Sequence, residues 1–202
     1  MKYILLLFPL FVYAADNTIY IDQIGNNNQI TIVQTGTSNS IGGILQQAAS
    51  IQGDGNQIDI TQDVSNQLKL SLVGDSNNLT TNQSIGNIVE TTINGNNNTL
   101  NFQQLNNGNK SINSSISGSS NQITATQQGS GQHQLNLSLT GNSHNVTTLQ
   151  KDSGNHSATL NLTNAGGAST VNLTQQGTTN QSYTLTQSCS MLGGCLTNLT
   201  QQ

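Results

Sequence analysis

Residues 19–28 read IYIDQIGNNN, and residues 30–39 repeat the phrase as ITIVQTGTSN. Ile19 and Ile21, spaced by one, precede Gln23, Gly25 and Asn28; Ile30 and Ile32 precede Gln34, Gly36 and Asn39 at the same intervals. Far downstream, residues 171–180 (VNLTQQGTTN) return it with Gln175, Gly177 and Asn180. A phrase recurring at a short fixed period marks a fold built by stacking one unit on itself. Such a fold offers faces and open ends in place of a pocket.

Alternation of apolar and polar residues is the strand period, with one face buried. The position of Gln in the phrase serves as a register mark. One series of marks runs Gln34, Gln62, Gln83, Gln104, Gln127, Gln150 and Gln175; a second runs Gln23, Gln46, Leu72, Ile93, Ile116, Leu139, Leu162 and Gln187. The two interleave at half the period, so each repeat is two short strands and two corners. The spacing predicts an all-β solenoid of about eight turns, with two parallel sheets facing across a narrow core. Ile58, Ile60, Leu68, Leu70, Leu100, Phe102, Leu135 and Leu137, two and four residues before their marks, are expected to fill it.

Glycines two residues after the mark (Gly25, Gly36, Gly74, Gly95, Gly118, Gly129, Gly141, Gly177) suit corners that need positive φ. Asn three residues further on, as at Asn28, Asn39, Asn77, Asn98, Asn109, Asn121, Asn155 and Asn180, can bond the local backbone. A buried Gln without a partner costs roughly 1–3 kcal/mol. Stacked at one strand spacing, a column of Gln satisfies itself except at its ends. Gln23, Gln34, Gln46, Gln62, Gln83, Gln104, Gln127, Gln150, Gln175 and Gln187 are therefore expected to form structural amide ladders. Residues 48–56 (AASIQGDGN) are expected to protrude as a loop, and residues 164–168 (NAGGA) to widen a corner.

The 202 residues include 30 Asn and 24 Gln, over a quarter of the chain, while 6% are charged and 3% aromatic. Amides at fixed places between alternating apolar residues argue against a disordered polar tract. After Met1 and Lys2, residues 3–12 form an apolar run and Val12-x-Ala14 supplies a small-residue cleavage site, the pattern of a signal peptide over residues 1–14 with the mature chain beginning at Ala15 or Asp16. The remaining chain, 15–202, reads as a single exported repeat domain with no later membrane span. It is expected at the cell surface or outside the cell, reached through the periplasm. There it carries Lys69, Lys110 and Lys151 against eight acids and no Arg, so no basic face exists for nucleic acid.

The phrase at residues 19–29, 30–40 and 171–181, with looser copies over 17–190, resembles the curlin repeat of curli subunits, the bacterial functional amyloids. The resemblance implies a solenoid that polymerises end to end into extracellular fibres for adhesion and biofilm, as major subunit or nucleator. The implied partners are further copies of the chain, other curli-type subunits and secretion factors. Where that repeat carries inward amides on both strands, this chain has Leu72, Ile93, Ile116, Leu139 and Leu162 in one column. A capped, monomeric solenoid adhesin or stalk is the alternative. Neither reading involves an enzyme, a cofactor or a metal, and the pattern builds no cleft in which Ser, His and Asp would meet.

His133 and His156 each lie six residues after a Gln mark and are expected to stack one turn apart. They read as two exposed corner residues, with metal binding or pH sensing as the functional alternative; His144 falls on the opposite corner. Cys189 and Cys195 bracket a short loop, and export permits a disulfide between them; free or intermolecular thiols are the alternative.

Overall fold

The computed structural model describes residues 16–42, 47–164, 167–190 and 193–202. The segment read as a signal peptide and the proposed mark Gln46 lie outside these residues. In chain order the strands are β1 (Thr18–Ile19), β2 (Ile21–Ile24), β3 (Gln29–Gln34), β4 (Ser40–Gly42), β5 (Ala49–Gln52), β6 (Gln57–Gln62), β7 (Gln67–Val73), β8 (Asn78–Gln83) and β9 (Ile88–Asn94). They continue as β10 (Thr99–Gln104), β11 (Ser111–Ser117), β12 (Gln122–Gln127), β13 (Gln134–Thr140), β14 (Asn145–Gln150), β15 (Ser157–Asn164), β16 (Ser169–Gln175), β17 (Ser182–Cys189) and β18 (Cys195–Gln201).

From β6 onward, alternate strands enter alternate sheets. The first sheet holds β1 with β2, β4 with β5, then β7, β9, β11, β13, β15 and β17; the second holds β3, β6, β8, β10, β12, β14, β16 and β18. All pairings are parallel, as in Leu72↔Ile93 and Gln104↔Gln127. The chain is thus a β-solenoid of about eight stacked turns, and no described residue is helical.

Period-2 alternation decides which side chains enter the space between the sheets. Leu68, Leu70 and Leu72 point in from β7, and Ile58 and Ile60 from β6, all essentially without solvent exposure. The core also admits small and polar residues. Phe102, the largest fully buried side chain, has Thr81 and Ala125 as its register partners in the neighbouring strands. Thr91 and Ser114 hold the central inward positions of β9 and β11, paired with each other. A close-packed interior must conserve volume layer by layer, so one large ring among small neighbours is the solution here.

The structure corrects the reading of residues 48–56. Ala49–Gln52 is a strand of the first sheet, with Ile51 buried between Gln23 and Leu72 in register. Ile51, and not Gln46, occupies that turn's mark. β4 ends at Gly42 and β5 begins at Ala49. Tyr20, one turn away, spans the gap, its N–H donating to Ile41 O at 2.9 Å and its carbonyl accepting from Ala49 N–H at 2.7 Å.

The outbound corner, from the first sheet to the second, is built on a glycine column. Gly95 has φ +148°, and a Cβ on it would collide with the carbonyl of Gly118 in the next turn. Two residues later Asn97 adopts φ +56°, the left-handed region that Asn tolerates. Glycine here is a requirement of backbone approaching backbone as well as of φ.

Candidate functional site

With no cleft suggested by the sequence, the arrangements able to carry function are the columns that tie turn to turn and the faces on which those columns end. Each mark of the second sheet sends its side-chain amide along the solenoid. Gln34 Nε2 donates to Gln62 Oε1 at 2.8 Å, Gln62 to Gln83 at 2.9 Å, Gln83 to Gln104 at 3.2 Å and Gln104 to Gln127 at 3.0 Å. Gln127 continues to Gln150 at 2.8 Å, Gln150 to Gln175 at 2.9 Å and Gln175 to Gln201 at 2.8 Å. The ladder is unbroken, and every bond points the same way. Nε2 also donates across the core to backbone, as from Gln104 to Ile88 O at 3.0 Å and from Gln127 to Ser111 O at 3.1 Å. The rung Gln201 was missed from the sequence, although Cys195-x-x-x-x-x-Gln201 repeats the spacing from Ser169 to Gln175.

No such ladder forms on the first sheet. Gln23 and Gln187 hold its outermost marks, with Ile51, Leu72, Ile93, Ile116, Leu139 and Leu162 between them in register. Gln23 is exposed on the outermost rung, and Gln187 accepts from Thr197 Oγ1 at 3.4 Å.

At each corner one side chain turns inward and accepts the backbone N–H of the same slot one turn on. In the outbound corner Asn56 N–H donates to Asn28 Oδ1 at 2.8 Å, Asn77 to Asn56 at 2.9 Å, Asn98 to Asn77 at 3.0 Å and Asn121 to Asn98 at 3.0 Å. His144 N–H then donates to Asn121 at 2.9 Å. In the return corner Asn39 donates to Asn17 at 2.9 Å, Asn66 to Asn39 at 3.0 Å and Asn87 to Asn66 at 2.9 Å. Lys110 then donates to Asn87 at 2.9 Å. Asn28 and Asn39 are therefore structural corner residues. Asn180 is a corner residue too, but an exposed one: its Oδ1 accepts Asn155 N–H at 2.8 Å, while Gly177 keeps φ +108° and, the corner being longer, Gln181 takes the inward slot.

The return column changes character at Lys110, whose side chain is fully buried. Its ammonium donates to the carbonyls of Asn107 at 2.9 Å, Gly129 at 2.7 Å and Asn106 at 3.4 Å. Burial lowers its pKa to about 8. Above it lie His133 and His156, stacked with ring centroids 5.1 Å apart and planes within 5°. The expected stacking is present, but the expectation of exposure fails, for both rings are buried.

Each ring binds its own corner through Nε2: His133 to Gln128 O at 2.8 Å, His156 to Lys151 O at 2.8 Å, and His144 on the opposite corner to Thr140 O at 3.3 Å. A carbonyl can only accept, so Nε2 carries the proton and Nδ1 is free to accept. His156 N–H donates to His133 Nδ1 at 3.4 Å and Ser169 N–H to His144 Nδ1 at 3.0 Å. Burial lowers the His133 pKa to about 4; the positive charge that His156 or Lys110 can carry acts in the same sense, while the Gln128 carbonyl and Asp152 oppose it. His144 is also lowered by burial, against the Thr140 carbonyl. With both Nε2 atoms and His133 Nδ1 bound to backbone and the rings face to face, His133 and His156 do not converge on a metal. Among the described residues no three His, Cys, Asp or Glu do.

Cys189 and Cys195 form a disulfide with Cα atoms 5.7 Å apart, joining the end of β17 to the start of β18. Beyond it β18 pairs with β16 through Gln175↔Gln201.

The columns end on two faces. One exposes the edges of β1, β2 and β3, with Ile21, Ile30 and Ile32 only partly covered; the other exposes β17 and β18, with Tyr183, Leu185 and Leu199 partly covered. No family model matches the chain, and no curated protein or solved structure matches it either.

Proposed function

We propose that this chain is a secreted structural protein, a subunit or nucleator of a curli-like fibre, assembled by stacking copies end to end for adhesion and biofilm matrix. The observation that carries the reading is the complementarity of the two end faces. Continuing the solenoid register sets Leu185 against Ile21 of the next copy, Leu199 against Ile32, Gln187 against Gln23 and Gln201 against Gln34. The last of these pairs matches in sense as well as in place. Gln201 ends the ladder with an unused Nε2–H, and Gln34 begins it with an unused Oε1. Parallel edges with half-covered aliphatic side chains are templates for strand addition, and neither end face carries the lysines or proline that blunt such edges.

The test is incubation of the purified chain, lacking residues 1–14, with an amyloid dye, followed by electron microscopy. Fibres are expected, and a chain that stays monomeric for days at high concentration overturns the reading in favour of a stalk or adhesin. Replacing Gln34 and Gln201 together by Leu is expected to slow elongation more than the same change at Gln104 and Gln127. The reverse order would exclude end-specific pairing.

A further inference from the structure

The last turns of the solenoid are fastened by different chemistry from the turns before them. From Asn17 to Lys110 in the return corner, and from Asn28 to His144 in the outbound corner, the acceptor of each bond between successive inward slots is an amide oxygen, which does not titrate; nearer solvent in the outbound corner the carboxylates of Asp54 and Asp75 accept the N–H of Asn26 and Asp54. The next bond in each column ends on an imidazole Nδ1: His133 accepting from His156 N–H, and His144 accepting from Ser169 N–H. These two bonds tie the corners ahead of β15 and β16 to the turn formed by β13 and β14. Above them His156 Nδ1 and Gln181 Oε1 are both buried without a partner, and the side-chain bonds left in the return corner run nearer solvent, from Gln132 N–H to Asn155 Oδ1 and from Asn155 N–H to Asn180 Oδ1, each at 2.8 Å.

We infer that these two histidines form an acid-sensitive release: protonation of His133 and His144 at Nδ1 breaks both corner bonds and frees the turns β15 to β18 while β6 to β10 stay closed. A proton on Nδ1 would face the hydrogen of a backbone N–H, turning an attraction into a repulsion. Nε2 cannot take the proton instead, being bound to a carbonyl that accepts its hydrogen. The groups facing His133 are Lys110 one turn below, His156 one turn above and Asp152 in the adjoining corner. The slots on either side of His144 hold Asn121 and Ser169, neither of which titrates in this range.

Folding holds these rings neutral, so a proton is taken up on opening. The closed state is fully favoured above the unfolded value of 6.5 and loses ground as pH falls toward about 4. For His133 alone the open fraction rises over that window by about a hundredfold. The inference holds whether or not copies of the chain assemble.

Backbone amide exchange followed by mass spectrometry, corrected for its intrinsic pH dependence, tests it on the full chain at pH 7.5 and 4. Strands β15–β18 are expected to lose at least tenfold more protection than β6–β10. The double variant His133→Asn with His144→Asn, which installs the residue filling these slots elsewhere, is expected to equalise the halves within about twofold. Equal loss in both halves of the unaltered protein overturns the inference. So does a differential loss surviving in the double variant, which would assign the effect to Asp152, whose carboxylate accepts Gly177 N–H at 3.0 Å. If the double variant fails to fold, imidazole NMR of the unaltered protein decides. His133 is expected to remain a neutral Nε2–H tautomer down to about pH 5 and His144 to titrate below the ordinary histidine value; titration of either near the ordinary value overturns the proposal.

Discussion

The outbound and return corners perform the same task, reversing the chain between two sheets, yet they tolerate different sequences. In the outbound corner the slot lies five residues after the mark from Gln23–Asn28 through Leu139–His144, with glycine against glycine along the column. In the return corner Asn66 and Asn87 stand four residues after Gln62 and Gln83, whereas Lys110, His133 and His156 stand six after Gln104, Gln127 and Gln150. The lengthening coincides with the loss of amide. Asn donates and accepts at once, so a column of it closes on itself. Lys has no acceptor to offer the next turn, and the longer loop instead brings the carbonyls of Asn106 and Asn107 to its ammonium. The outbound corner changes only once at fixed length, from Asn121 to His144, whose Nδ1 still accepts from the next turn, whereas the buried ammonium of Lys110 is met where the corner has lengthened.

The largest expected effect tests that freedom directly. Gly95→Ala in the outbound corner forces a Cβ into the Gly118 carbonyl at φ +148°, at a cost on the order of 3–5 kcal/mol in strain and displaced backbone. Gly86→Ala in the return corner, at φ +71°, meets only the movable Asn109 side chain and is expected to cost about 1 kcal/mol. Denaturant midpoints compare them, and equal losses would erase the distinction between the corners.

A smaller effect is expected at Lys110→Met. It strips the carbonyls of Asn107 and Gly129 of their charged donor, destabilising by about 1–2 kcal/mol at neutral pH. The unaltered protein should also gain stability between pH 8 and 10.5, because there the unfolded chain holds a proton that folded Lys110 has released. The variant should lack that rise when melting is followed across the same range.

The smallest effect concerns the core between the corners, where no ladder reaches. Thr91 Oγ1 is buried without a partner. Thr91→Val is expected to stabilise by about 1 kcal/mol, since a methyl of similar volume removes the desolvation cost. A loss of stability on chemical denaturation would mean that the hydroxyl is satisfied after all.

Much of this architecture was legible in the residues. The two-strand period, the inward aliphatics, the second-sheet Gln ladder and the stacking of His133 on His156 all follow from spacing. The reading failed where identity was followed in place of spacing. Gln46 matches the mark in identity, but Ile51-x-Gly53-x-x-Asn56 keeps the phrase with an aliphatic mark, as Leu72-x-Gly74-x-x-Asn77 does. His133 reads as an exposed corner residue in isolation, yet it stands in the column that Asn66 and Asn87 fill. Burial of Lys110 was not legible: its partners are backbone carbonyls, which leave no trace in side-chain identity. The central Thr91 and Ser114 were likewise hidden, because a strand pattern records polarity and not the volume the core has to fill.

The uniform sense of the Gln ladder has a consequence for error. An amide can be turned over without changing its shape, exchanging oxygen for nitrogen. Within this column a single reversed Gln would set oxygen against oxygen on one side and nitrogen against nitrogen on the other. It would also aim its oxygen at the backbone carbonyl that Nε2 now reaches, such as Ile88 O from Gln104. A fault can therefore enter or leave only at Gln34 or Gln201, where one neighbour is missing. The column behaves as one ordered row of dipoles whose memory of direction is held in the middle and is correctable only at its tips.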